Sequence, residues 1–204
     1  VTPNIHYDNR EIEGERLDLT QRGIYWLGPN ITLRRCTVVL GVASRWLSLV
    51  SGQLIDCTLE AKRELKNTRW TTMNFKGCRF KGRFYGNEFG QRREHEEGWE
   101  LAGLEDCDFS EARLDLCRFH GSDMRTVRLP KWPCFTILDP LGHGRELMSV
   151  PWPGTFRPVR MEGEFKELPT TVALSFYAPA QAERSKTTEA ELKAAIERFD
   201  FIIR

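Results

Sequence analysis

The chain has 204 residues, of which 40% are hydrophobic and 29% charged, with 30 basic and 29 acidic side chains giving a net charge of +1. That suits one ordinary globular domain with enough apolar residues to build a core. No apolar run approaches the ~18 residues of a membrane span, and no secretion-signal pattern opens the chain, so the expectation is a cytoplasmic protein with no membrane partner.

Residues 1–11 are polar and read as an N-terminal lead-in. From residue 12 a spacing of 21 takes over: Ile12, Leu33, Leu54 and Phe75 form one column, and Leu17, Val38, Leu59 and Phe80 another. Cys36, Cys57 and Cys78 keep the same step, each two residues before an apolar residue. The first coil would run over 12–32, the second over 33–53 and the third over 54–74. One extra residue falls at a corner between Leu59 and Leu65; steps of five then lead through Trp70, Phe75, Phe80 and Tyr85. Further on, Phe109, Leu114, Phe119, Met124 and Leu129 recur at every fifth position, preceded two residues earlier by Cys107, Ala112, Cys117, Ser122 and Val127. A large and a small apolar residue in this pattern fit neither a helix nor a simple strand period. They describe a solenoid that points two side chains inward per side.

Five of the six cysteines occupy the small inward slot, where Ala, Ser and Val also stand, so they read as buried structural thiols. The stretch near residues 90–100 breaks the beat and reads as a loop thrown out from a coil corner. Residues 130–204 form a third region. Pro130, Pro133, Pro140, Pro151, Pro153 and Pro158 argue against a regular helix or central strand up to Pro158. Val172–Tyr177 reads as a strand. A capping box of Thr188 and Glu191 opens a helix with the apolar stripe Leu192, Ala195, Ile196 and Phe199, expected to cover the open end of the solenoid.

Cys107-Asp-Phe-Ser-Glu-Ala-Arg-Leu-Asp-Leu-Cys-Arg-Phe-His-Gly-Ser-Asp-Met124 and Met73-Asn-Phe-Lys-Gly-Cys-Arg-Phe-Lys-Gly82 resemble the pentapeptide-repeat family over about residues 30–130. The resemblance implies a mainly β fold, a right-handed quadrilateral parallel β-helix, here with a Pro-rich segment and a C-terminal strand/helix cap. It says little about activity, because members share the scaffold more than the job.

No nucleophile elbow, phosphate-cradling loop or zinc-ligand quartet is present. Neither catalysis nor a cofactor or metal is expected. Cys117 and His120 have ligand-like spacing, but His120 should lie on an outer turn while Cys117 points inward. His143 reads as a turn residue. Charge is unevenly distributed. Residues 61–87 carry eight basic side chains against Glu64, whereas residues 94–111 carry eight acids and no Lys or Arg; a solvated face is the plain reading.

Family members that mimic DNA to occupy a topoisomerase need a strongly acidic surface. Residues 1–130 hold 20 basic and 19 acidic side chains, which weighs against that role. Other proteins resembling this family are immunity proteins that neutralise a cognate bacterial toxin, and this reading fits better. Against a nuclease toxin, whose groove would be basic, Glu94, Glu96, Glu97, Glu100, Asp106 and Asp108 would pair with the groove and Trp99 would serve as an anchor. A scaffold using the basic block to meet nucleic acid or an acidic partner is the third reading. Little aromatic interleaving supports direct nucleic-acid binding.

Overall fold

Apolar residues at alternate positions over three or four residues make a strand with one inward face, and here each run ends at a residue that turns the chain. The computed structural model of the chain describes residues 2–92, 99–163 and 166–204. It is mainly β, 44% strand and 15% helix, with parallel strands stacked into a solenoid of about four turns. The first strands are β1 (Asn4–Tyr7), β2 (Arg10–Glu13), β3 (Arg16–Leu19), β4 (Ile24–Leu27), β5 (Ile31–Arg34) and β6 (Thr37–Leu40). Then come β7 (Leu47–Leu49), β8 (Gly52–Ile55), β9 (Thr58–Lys66), β10 (Arg69–Trp70) and β11 (Met73–Lys76). The upper coils add β12 (Arg79–Tyr85), β13 (Glu88–Gly90), β14 (Gly103–Glu105), β15 (Asp108–Asp115) and β16 (Cys117–His120).

Two five-stranded ladders, β2-β5-β8-β11-β14 and β3-β6-β9-β12-β15, run the length of the stack. A third side is served by β1-β4-β7 in the N-terminal coils and by β10-β13-β16 in the later ones. The columns of 21 are the register of these ladders. Ile12 faces Leu33, then Leu54, Phe75 and Leu104; Leu17 faces Val38, then Leu59 and Phe80. Between these two ladders the chain turns at Gly14, Arg35, Asp56, Gly77 and Asp106, whose φ values of 67°, 50°, 53°, 63° and 52° all lie in the left-handed region. Gly and Asp suit that conformation.

Tyr85 is not the inward residue expected from a step of five. It is half-buried, while Phe84 is 1% exposed. The register between β9 and β12 shifts between Gly82 and Phe84, so that Phe84 sits opposite Leu65. A step of six in one coil is thus returned as a step of four in the next. Gly82 makes this possible at φ 103°: a Cβ there would lie 2.3 Å from the carbonyl oxygen of Ala61.

Aromatic residues fill the upper coils. Phe80 stacks on Phe109 with centroids 4.2 Å apart, and Phe89 stacks on Trp70 and Phe119. All six cysteines are free and buried. Five thiols lie against carbonyls of the coil below: Cys36 Sγ on Ile12, Cys57 Sγ on Leu33, Cys78 Sγ on Leu54, Cys107 Sγ on Phe75 and Cys117 Sγ on Phe84. Burial pushes the Cys107 thiol up to about 11 and that of Cys117 up to about 12, the direction expected when the charged form is desolvated. In the next small slot stands Asn87, fully buried. It accepts from Trp70 Nε1 at 3.0 Å and donates to the carbonyls of Leu65 and Tyr85.

The C-terminal region holds β17 (Cys134–Leu138), α1 (Gly144–Ser149), β18 (Thr171–Tyr177), α2 (Ala178–Ser185), α3 (Glu189–Ile196) and β19 (Ile202–Ile203). β18 pairs antiparallel with β16, closing the exposed edge of that side, and Ala173 on it joins the solenoid core. The C-terminal strand and helices expected as a cap are present, and it is the strand that meets the solenoid edge, with α2 and α3 packed behind it. They share a separate core with Phe135, Leu147, Phe156 and Phe176. The expectation that prolines exclude regular structure before Pro158 fails. β17 lies between β18 and β19, and α1 follows it. Pro133, Pro140 and Pro151 stand just outside these elements, where no ladder or helix hydrogen bond is lost. The capping box of Thr188 and Glu191 is formed as expected.

Candidate functional site

The two charge blocks that are separate in sequence meet in the structure. The coil that carries Lys76, Arg79 and Lys81 lies next to the one that carries Glu105, Asp108 and Glu111, in parallel register. Lys76 Nζ lies 2.9 Å from Glu105, Lys81 Nζ 3.1 Å from Glu111, and Arg113 2.8 Å from Glu64. Asp108 stands opposite Arg79 in the ladder and 3.9 Å from Arg128; it also accepts from the Ser110 N–H. Like charges stacked in register would repel, and this alternation removes the penalty. Each exposed pair contributes little on its own.

Of the acidic residues expected to meet a partner, Glu94, Glu96 and Glu97 lie outside the described residues. Trp99 opens a 3-10 turn, Trp99–Leu101, at the foot of the insertion. Glu100 is exposed on it, and Leu101 beside it is 52% exposed. The foot is tied to the solenoid: Asn74 Nδ2 donates to the Leu101 carbonyl at 2.8 Å, and Gln91 Nε2 to that of Glu100 at 3.3 Å. Asp106 is exposed at the left-handed corner that follows β14. Asp108 is half-buried and engaged as described above. The fold thus holds Glu100 and Asp106 at the two ends of β14, facing solvent, and draws Asp108 into the cross-coil pairing.

Sequence reasoning missed a second feature, at the seam between solenoid and C-terminal region. Asp115, 4% exposed, accepts two hydrogen bonds from Arg184 at 2.7 and 2.8 Å and one from the Tyr177 N–H. Glu167, 7% exposed, is gripped by Arg118 through Nε and Nη2. Arg113 lies over the Tyr177 ring at 4.6 Å. Above these pairs opens a cleft of about 630 Å³ lined by Arg118, Arg157, Arg160 and Arg184, with Phe156, Val159 and Phe176 among its apolar walls. No motif announces it, because its arginines come from distant parts of the chain.

His120 is fully buried rather than on an outer turn. β18 pairs alongside β16 and sets Thr171 opposite His120, whose Nδ1 lies 3.4 Å from the hydroxyls of Thr170 and Thr171. Nε2 has no hydrogen-bond partner among the described residues. Burial, aided by the charges of Arg92 and Arg118, lowers its pKa to about 3. His143 precedes α1 and stacks on Phe201. Among the described residues no group of three or more His, Cys, Asp or Glu side chains is placed to hold a metal ion, and no helix is long and apolar enough to cross a membrane.

No protein-family model, curated protein or solved structure matches this chain.

Proposed function

We propose that this chain is a non-enzymatic protein-binding module of the pentapeptide-repeat kind, acting in the cytoplasm as an immunity protein that neutralises a cognate bacterial toxin by direct binding. The observation that carries the proposal is the foot of the insertion. There an acidic residue, Glu100, and a large apolar one, Leu101, are presented to solvent on a turn hydrogen-bonded to the solenoid. Holding a contact surface in place before binding reduces the ordering cost of association. An apolar anchor within an acidic rim suits a partner whose groove is basic, such as a nuclease.

The contact set is Glu94, Glu96, Glu97, Trp99, Glu100 and Asp106, with Asp108 at its margin because Arg79 and Arg128 already lie beside it. The test is made on the purified complex with its partner. Simultaneous reversal of Glu94→Lys, Glu96→Lys, Glu97→Lys and Glu100→Lys weakens the complex by about tenfold or more, as expected for loss of several complementary charges. An unchanged dissociation constant, with circular dichroism showing a folded variant, would remove the insertion from the interface.

A further inference from the structure

The seam cleft has a chemistry that the solenoid faces lack. Arg118 spends Nε and Nη2 on Glu167, which leaves Nη1 without a hydrogen bond among the described residues. Arg184 spends both terminal nitrogens on Asp115, and one of them also on Gln181, which leaves Nε. Arg157 donates Nη1 to the carbonyl of Phe156 and, among the described residues, has no carboxylate within ion-pair distance. Two guanidinium groups are therefore fixed by buried carboxylates, and Arg157 adds a third, beside Arg160 and Glu162, which also line the cleft. All three line one space of about 630 Å³, within the range that holds small molecules. A second recess of about 330 Å³ adjoins it through Leu116 and Arg118 and adds Arg69 and Glu88.

From this arrangement we propose that the seam cleft binds a phosphoryl group, free or carried by a small organic molecule. Guanidinium groups match phosphate oxygens well, and fixed ones lose less freedom on binding. A planar carboxylate offers two oxygens to donors that come from three residues, whereas a phosphoryl group offers at least three. The apolar walls, Phe156 (2% exposed), Val159 and Phe176, would lie against the organic part of a phosphorylated ligand. None of the proposed toxin-contact residues lines this cleft, so the two proposals stand or fall independently.

The whole chain is titrated with inorganic phosphate, with adenosine monophosphate and with adenosine, following heat of binding and thermal midpoint at constant ionic strength. Saturable binding of adenosine monophosphate but not adenosine, weakened about tenfold or more in Arg157→Gln, is the expected result. Equal affinity for inorganic phosphate would assign the site to the free ion, and tighter binding of the nucleotide to an organic phosphate; both support a phosphoryl site. Arg157 holds no buried carboxylate, so its substitution leaves the seam pairs intact. No saturable binding of either phosphate at millimolar concentration, or equal binding by the folded Arg157→Gln variant, overturns the proposal.

Discussion

At Gly82 the chain takes a step that no other residue could take. Its φ of 103° and the 2.3 Å separation from a Cβ to the Ala61 carbonyl oxygen combine backbone strain with a clash against backbone, which cannot rotate away. Gly77 has a φ of 63°, and there the nearest atom to a Cβ, also at 2.3 Å, belongs to the side chain of Asp56. Asp56 can swing aside. Gly82→Ala is therefore expected to cost about 2–4 kcal/mol, and Gly77→Ala about 1–2 kcal/mol. Urea unfolding of both variants checks the order; equal losses would mean that the four-residue step between Phe80 and Phe84 is not strained. At this scale the sequence was easy to read where a column repeats cleanly, as with Cys36, Cys57 and Cys78. It misled where the chain compensates for an extra residue, as at Tyr85. Asp106 belongs to the acidic block in sequence, yet it also occupies the left-handed corner column of Gly14, Arg35, Asp56 and Gly77, a conformational reason for Asp that composition does not reveal.

Pairing between elements explains most of what the linear pattern left open. The basic and acidic blocks look like two patches in sequence, but parallel stacking of β11 with β14 and of β12 with β15 makes them partners. The proline-rich stretch looked irregular because its prolines were visible and the short elements between them were not. β18 is the element with the largest consequence. By pairing with β16 it buries His120 in neutral form, with a pKa of about 3 against an ordinary 6.5. A base whose pKa falls on folding binds more protons when unfolded, so stability rises with pH between those values. The contribution is complete above about pH 6.5 and is lost as pH falls toward 3, at up to ~1.4 kcal/mol per pH unit. His120→Asn removes that titration. Its unfolding free energy, measured from pH 6.5 to 4.5, should vary less steeply with pH than that of the parent by up to one proton. Parallel slopes would show that the ring titrates normally beside β18.

The molecule as a whole is a solenoid joined to a second core, and the seam between them is ionic as well as apolar. Asp115 at the end of β15 and Arg184 on α2 are paired with a carboxylate that is 6% exposed. Removing the arginine would leave the buried Asp115 charge uncompensated, so Arg184→Ala is expected to cost about 3–5 kcal/mol. Differential scanning calorimetry should show the loss, with the C-terminal region melting first because its link to the solenoid is weakened. A loss below ~1 kcal/mol would mean that the seam is held by β16–β18 pairing alone. The stacked coils were legible in the sequence because a repeat declares itself many times over. The seam was not, because Asp115, Arg118, Glu167 and Arg184 each occur once and meet only after the chain folds back.

Capture and silencing of one protein partner is the proposed role of the whole molecule. The most direct measurement uses the chain as bait in a lysate of its native organism, washed at moderate salt, followed by an activity assay of whatever is retained. One stoichiometric partner, with toxin activity that the bait inhibits and that the four-residue charge-reversed bait does not retain, is the expected result. A topoisomerase in that lane would contradict it in favour of DNA mimicry, and an empty lane with folded bait would contradict neutralisation altogether.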